Sequence, residues 1–381
     1  VTMTGGTINS RAGTTISATT TNYSGTTVVD VTGATAQTIT GGGLGATIPR
    51  LNLSGSNTVT FSGTTDVAGT VTFAPTAAIT INGATLNSQG LLSFNQGGAG
   101  FAVTMTGGTI NSRAGITVGT ASASTYTGTT VVNVTGASAQ TITGGGATSR
   151  IPNLTINSTN TVTLSGNIAL GNNYTYTAGT ISAAGSTLTF RKAAAATITD
   201  TGAQALNNVT FASGSATAYT LSGTMRVGGV LTFANTAVST ISGGTFNITG
   251  TGTAVTYTGT SSSGADTYAL VIMGGGATTI SNTSTNATAV TRGNVTVTGA
   301  GTTLSLTGNP GVGMTFGTAT GSTLTAASAA NTISCVAGLG TVQFQDMILN
   351  SSSFTRGGGG NILMVNTVTI GAGANFGGTI F

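Results

Sequence analysis

The chain has 381 residues, of which 62 are glycine, none is tryptophan or histidine, and 4% are charged, against about 25% charged in an ordinary soluble domain. All five acids are aspartates (Asp30, Asp66, Asp200, Asp266, Asp346) and Lys192 is the only lysine, an alphabet from which few enzymes could be built. The pI of 9.6 reflects nine bases against five acids, and singly scattered arginines lack the clustering that phosphate backbones require, which excludes nucleic acid as a partner.

Mean hydropathy is +0.33, and Val, Ile, Leu and Phe recur between the polar residues, so the chain folds. Taken in order, strict alternation predicts strands at Thr58–Phe61, Thr70–Phe73, Ala78–Ile81, Thr161–Leu164, Ser186–Phe190, Val230–Phe233, Asn294–Val297 and Thr367–Ile370. A period of two places apolar residues on one face and Thr on the other, and β-branched residues favour it. Gly-Gly, Ser-Gly and Asn-Gly pairs between the runs supply turns. No window has a helical period.

A long repeat organises these strands. Val1–Gly13 reads VTMTGGTINSRAG and returns letter for letter at Val103–Gly115, and Gly25–Gly43 returns at Gly128–Gly146 with only Asp30→Asn133 and Thr35→Ser138 changed. A third copy decides the architecture. Thr60-Phe-Ser-Gly63, Thr163-Leu-Ser-Gly166 and Thr220-Leu-Ser-Gly223 head equivalent segments, so the step falls from 103 residues to 57. A β-sandwich cannot lose nearly half its strands, whereas a solenoid can drop whole coils, because each coil touches only its neighbours.

The expected fold is therefore all-β, a parallel β-helix or β-solenoid. Similar strands return about every twenty residues, as from Val59 to Ile81 to Val103, which gives roughly eighteen coils at about 4.8 Å each. Copy 1 spans 1–102, copy 2 spans 103–205 and a degenerate continuation spans 206–381, as one continuous rod. Phe61, Leu164 and Leu221 face inward at equivalent places. Extra residues near Thr285–Thr291 bulge outward as a loop.

The run Ile151-Pro-Asn-Leu-Thr-Ile-Asn, followed by Thr-Val-Thr-Leu-Ser-Gly-Asn and Tyr-Thr-Ala-Gly-Thr-Ile, resembles the secreted β-strand-repeat surface proteins of bacteria, which include autotransporter passengers and filamentous-haemagglutinin-like adhesins. The resemblance covers nearly the whole chain in pattern and composition. It implies an extracellular or cell-surface location, adhesion or matrix formation, and no catalysis. Val1 opens in the register of Val103 without an initiator Met or a signal peptide, so uncapped coil ends are expected to be covered by further coils or by another subunit.

No catalytic, cofactor-binding or metal-ligating residue is predicted. Cys335 follows Ile333 at strand spacing, as a core residue does. Without His, and with one Cys and no acidic cluster, neither a metal site nor an activated nucleophile is expected. Glycosidic cleavage needs paired carboxylates, and the aspartates stand far apart in sequence. The exchange of Asp30 for Asn133 suits a turn residue. Arg11 and Arg113 belong to solvated turns. The sequons at Asn52, Asn153 and Asn208 are expected to be accessible.

Scarce charge gives little repulsion between copies. This favours a structural subunit or segment of an extracellular bacterial filament, sheath or surface layer that associates with itself, no membrane span lying in the chain. The alternatives are a monomeric adhesin stalk meeting cell-surface glycans or other cells, a viral fibre segment, and an ice-binding solenoid suggested by Thr-x-Thr triplets such as Thr38/Thr40 and Thr141/Thr143.

Overall fold

A computed structural model describes residues 1–16, 23–43, 45–75, 79–94, 102–119, 125–146, 149–192, 195–237, 239–250, 254–259, 266–274, 276–284, 289–291, 293–299, 301–308, 313–316, 323–327, 331–335, 342–350, 353–356 and 362–377. Among them every regular element is a strand and every strand pairing is parallel. The fold is an all-β parallel solenoid of stacked coils. The eight strands expected from alternation are all present, at Val59–Ser62, Val71–Phe73, Ile79–Asn82, Asn153–Ser165, Thr187–Phe190, Leu231–Phe233, Val295–Val297 and Val368–Ile370. Two compact units divide the chain at Thr189 and Phe190.

In the first unit, Val1–Thr189, three ladders of strands make the three faces of each coil. One face runs through Thr47–Ile48, Thr64–Val67, Thr85–Ser88, Thr109–Ser112 and Val131–Val134. The next runs through Thr7–Ser10, Val28–Val31, Arg50–Leu53, Val71–Phe73, Leu92–Phe94 and Ile116–Val118. The third runs through Thr14–Thr15, Gln37–Thr40, Val59–Ser62, Ile79–Asn82, Ala102–Thr106 and Thr125–Gly128. Corners fall where the chain cannot continue a ladder. Pro49 and Pro152, which have no N–H to donate, each separate two strands at such a corner.

The repeat and the coil are out of step. Thr7–Ser10 and its copy Thr109–Ser112 carry the same four residues, yet they stand in different ladders. One repeat therefore returns the chain one face away from where it began. Phe61 and Leu164 are both buried, but Phe61 pairs in the third ladder, with Ile39, and Leu164 in the second, with Ile142.

Coils are longer than expected, so their number falls below eighteen. Val71 pairs with Leu92, but Ile116 pairs with Ile142 and, in the second unit, Val295 pairs with Leu324. The intervening turns take up the additional residues. Val59 pairs with Ile81 as expected, while Ile81 pairs with Met105 and Val103 with Ile79. Of the bulge expected near Thr285–Thr291, residues 285–288 lie outside the described residues and Ala289–Thr291 is a strand paired with Met314–Phe316.

The second unit, Phe190–Phe381, is built in the same way. One ladder joins Thr245–Ile248, Ala269–Ile272, Val295–Val297, Thr323–Ala326, Asp346–Leu349 and Val368–Ile370. Its core is aromatic. Phe190, Phe211, Phe233 and Tyr257 stack in sequence with ring centroids 5.0, 5.6 and 4.9 Å apart, Phe246 meets Phe211 and Phe233 edge-on, and Tyr268 stacks on Phe233 and meets Phe246 edge-on. Parallel in-register strands force like onto like, since the pairs Phe211↔Phe233↔Tyr257 are successive register partners, and offset stacking is a favourable aromatic geometry. Leu221 is buried here, as expected.

Candidate functional site

The five aspartates are the residues with the most chemistry available; Asp30, Asp66, Asp266 and Asp346 are tied to a neighbouring segment, and Asp200 is tied to the backbone of its own strand. Asp66, Asp200 and Asp266 are buried, while Asp30 and Asp346 are half-buried. Asp30 lies within the strand Val28–Val31, not in a turn. Its Oδ1 accepts hydrogen bonds from Asn52 Nδ2 at 3.0 Å and Ser54 Oγ at 2.6 Å, both from the next coil. The expectation of a turn fails because a lateral neighbour, invisible in the local sequence, supplies the donors.

Its counterpart Asn133 belongs to a ladder of amides. Asn133 Nδ2 donates to Asn111 Oδ1 at 3.2 Å, Asn111 Nδ2 to Asn87 Oδ1 at 2.8 Å, and Asn87 Nδ2 to Asp66 Oδ1. All three bonds point the same way. An amide in such a row must both donate and accept, whereas a carboxylate only accepts and so can stand only at the receiving end. Asp66 holds that end, and it also receives the Gly45 N–H. At the other end Thr155 is the partner of Asn133, and Asn133 Oδ1 is buried without a donor.

The remaining carboxylates act on the backbone. Asp200 Oδ1 accepts from Gly202 N–H at 2.9 Å, and burial pushes its carboxyl up to about 6 despite the Gly202 and Thr201 N–H groups. Asp266 Oδ1 accepts from Ile241 N–H at 2.6 Å. Asp346 Oδ1 accepts from Thr367 N–H and from Asn366 Nδ2. Among the described residues no three His, Cys, Asp or Glu side chains stand close enough to share a metal ion. Cys335 is buried in the strand Thr332–Cys335, paired with Leu306.

The sequon expectation fails at Asn153, which is buried, while Asn52 and Asn208 remain partly exposed. Asn52 is held by Asp30. Asn153 is buried, with Nδ2 donating to Thr130 O at 2.9 Å, and Asn208 Oδ1 accepts the Val230 N–H at 2.8 Å. Each side chain closes a contact between coils, and those of Asn52 and Asn208 are half-buried as they do so.

What the outward surface offers is neutral. One column in the second unit reads Thr210, Thr232, Thr256, Ser281 and Thr307, all register partners and all half-exposed. Arg11, Arg50 and Arg113 are exposed and stand singly, Arg113 reaching Gln89 Oε1 at 3.3 Å. No helix among the described residues is long and apolar enough to cross a membrane. Comparison with known proteins finds no matching family model, no similar curated protein and no similar solved structure.

Proposed function

We propose that this chain is a structural subunit or segment of an extracellular bacterial filament, sheath or surface layer, and that it assembles with copies of itself. The observation that carries the reading is the surface charge. Of five acids in 381 residues, three are buried and two half-buried, so among the described residues the exterior has hydroxyl columns such as Thr210, Thr232 and Thr256, scattered apolar side chains and isolated arginines. Net charge and scattered ions are what keep copies of a protein apart in solution. A face this neutral suits burial against another of its kind.

No step of this reading requires a catalytic centre, and four of the five carboxylates have a place in holding one segment to the next. Electron microscopy of the purified chain, with sedimentation over a range of concentrations, tests it. Filaments or sheets support the proposal. Isolated particles at every concentration would count against it and favour the adhesin stalk.

A further inference from the structure

We propose that the sheet face carrying the Thr210 column is a lateral docking surface for the same face of a second copy of this chain, the two faces packed against each other about a two-fold axis. This rests on the self-assembly reading and names the surface it uses.

The face belongs to one ladder of the second unit. It joins Asn208–Phe211, Leu231–Phe233, Ala254–Tyr257, Ala277–Asn282, Thr303–Gly308, Thr332–Cys335 and Ser353–Arg356. Beside the column from Thr210 to Thr307 runs a second, Thr279, Ser305, Ser334 and Thr355, whose members are successive register partners. A third lies two residues along the strands, at Thr303, Thr332 and Ser353. All these side chains are half-exposed except that of Thr355, which is exposed. Although coil length varies along the ladder, the turns absorb the difference and hydroxyl stays over hydroxyl. The Thr245–Ile248 ladder of the same unit has no such order, its outward column reading Asn247, Val271, Thr296, Thr325 and Ile348.

The chemistry of this face points to a second copy as its occupant. A hydroxyl both donates and accepts, so a hydroxyl face complements itself, as a face of carboxylates or of ammonium groups cannot. Spacing makes the same selection. Side chains recur about every 4.8 Å across the strands and about every 6.6 Å along them, and another copy brings the same two repeats, so that identical side chains can interdigitate between paired sheets. The area suffices. Strands of three to six residues, seven in all, cover about 500 Å², hence about 1,000 Å² over both copies, the size that a specific contact must reach. The outward positions of the ladder hold no charged side chain among the described residues, so nothing there repels a like face.

Sedimentation velocity of the full chain tests this with Thr232→Lys/Ser281→Lys/Ser305→Lys. Wild type should assemble, and the triple-lysine chain should sediment as a monomer at concentrations where wild type does not. The control is Asn247→Lys/Thr296→Lys/Thr325→Lys, at half-exposed positions of the other ladder, which should assemble as wild type does. A mixture separates lost docking from lost folding. Thr232→Asp/Ser281→Asp/Ser305→Asp should also be monomeric alone, while equimolar lysine and aspartate chains should pair, and the pairs should dissociate near 1 M salt, where the Debye length is about 3 Å. Wild type that stays monomeric would overturn this inference together with self-assembly. Three other results leave self-assembly standing and overturn its placement on this face: a triple-lysine chain that assembles as wild type does, a control that loses assembly to the same extent, or oppositely charged chains that do not pair.

Discussion

At the residue scale, the amide ladder shows how one atom decides whether a side chain fits. Asn111 donates to Asn87 and accepts from Asn133. Replacing Asn111 by Asp removes the donor and sets oxygen against oxygen, at a cost of about 1–3 kcal/mol. Asp30→Asn, which keeps an acceptor for Asn52 and Ser54, should change stability far less, and thermal unfolding of the two variants will show the contrast. Asp200 gives a pH signature. Its carboxyl is raised to about 6 by burial, so the folded state holds the proton more tightly than the unfolded one. The associated stability is present below about pH 4 and is lost as pH rises through about 6, by at most about 3 kcal/mol. Denaturant midpoints between those values should fall with pH in the wild type, and Asp200→Asn should remove that part of the slope. Gly128 is a third such point. Its φ is +109° and a Cβ there would collide with the Met105 carbonyl, a clash repeated at Gly25 against Met3.

At the scale of the strand and the coil, stability resides in columns. Phe211 is fully buried between Phe190 and Phe233 and meets Tyr219 and Phe246 edge-on. Phe211→Ala should cost about 3–5 kcal/mol, measured by chemical unfolding, more than the same change at a half-exposed outward position such as Thr232. Strand positions were legible in the sequence because alternation is local: Val59, Phe61, Val71 and Phe73 declare their inward face without reference to any neighbour. What lies beside what was not. Asp30 looked like a turn residue because Asn52 and Ser54, which hold it, are a whole coil away, and the sequon at Asn153 looked open because Thr130, which accepts its Nδ2 hydrogen bond, is equally distant in sequence. The register of Ile81 on Met105 was hidden too, since a shift of two residues keeps every apolar side chain inward. Coil length was underestimated because the residues between strands carry no period of their own.

For the whole molecule, the scarcity of ions sets how association responds to conditions. Screening acts on charge pairs, with a Debye length of about 3 Å at 1 M salt, and this chain has few pairs to screen. Self-association measured by sedimentation should therefore persist from low salt to about 1 M, and kosmotropic salts should strengthen it. Dissociation on adding simple salt would mean that the few exposed arginines dominate the contact.

The mismatch between repeat and coil bears on recognition by any other molecule. Thr-Ile-Asn-Ser at Thr7–Ser10 and again at Thr109–Ser112 looks out from two different sides of the first unit. A rigid ligand lying straight along one side would read one copy and miss the other. Duplication of such a segment multiplies a sequence without multiplying an aligned epitope. The second copy winds the motif one face round from the first, like the thread of a screw.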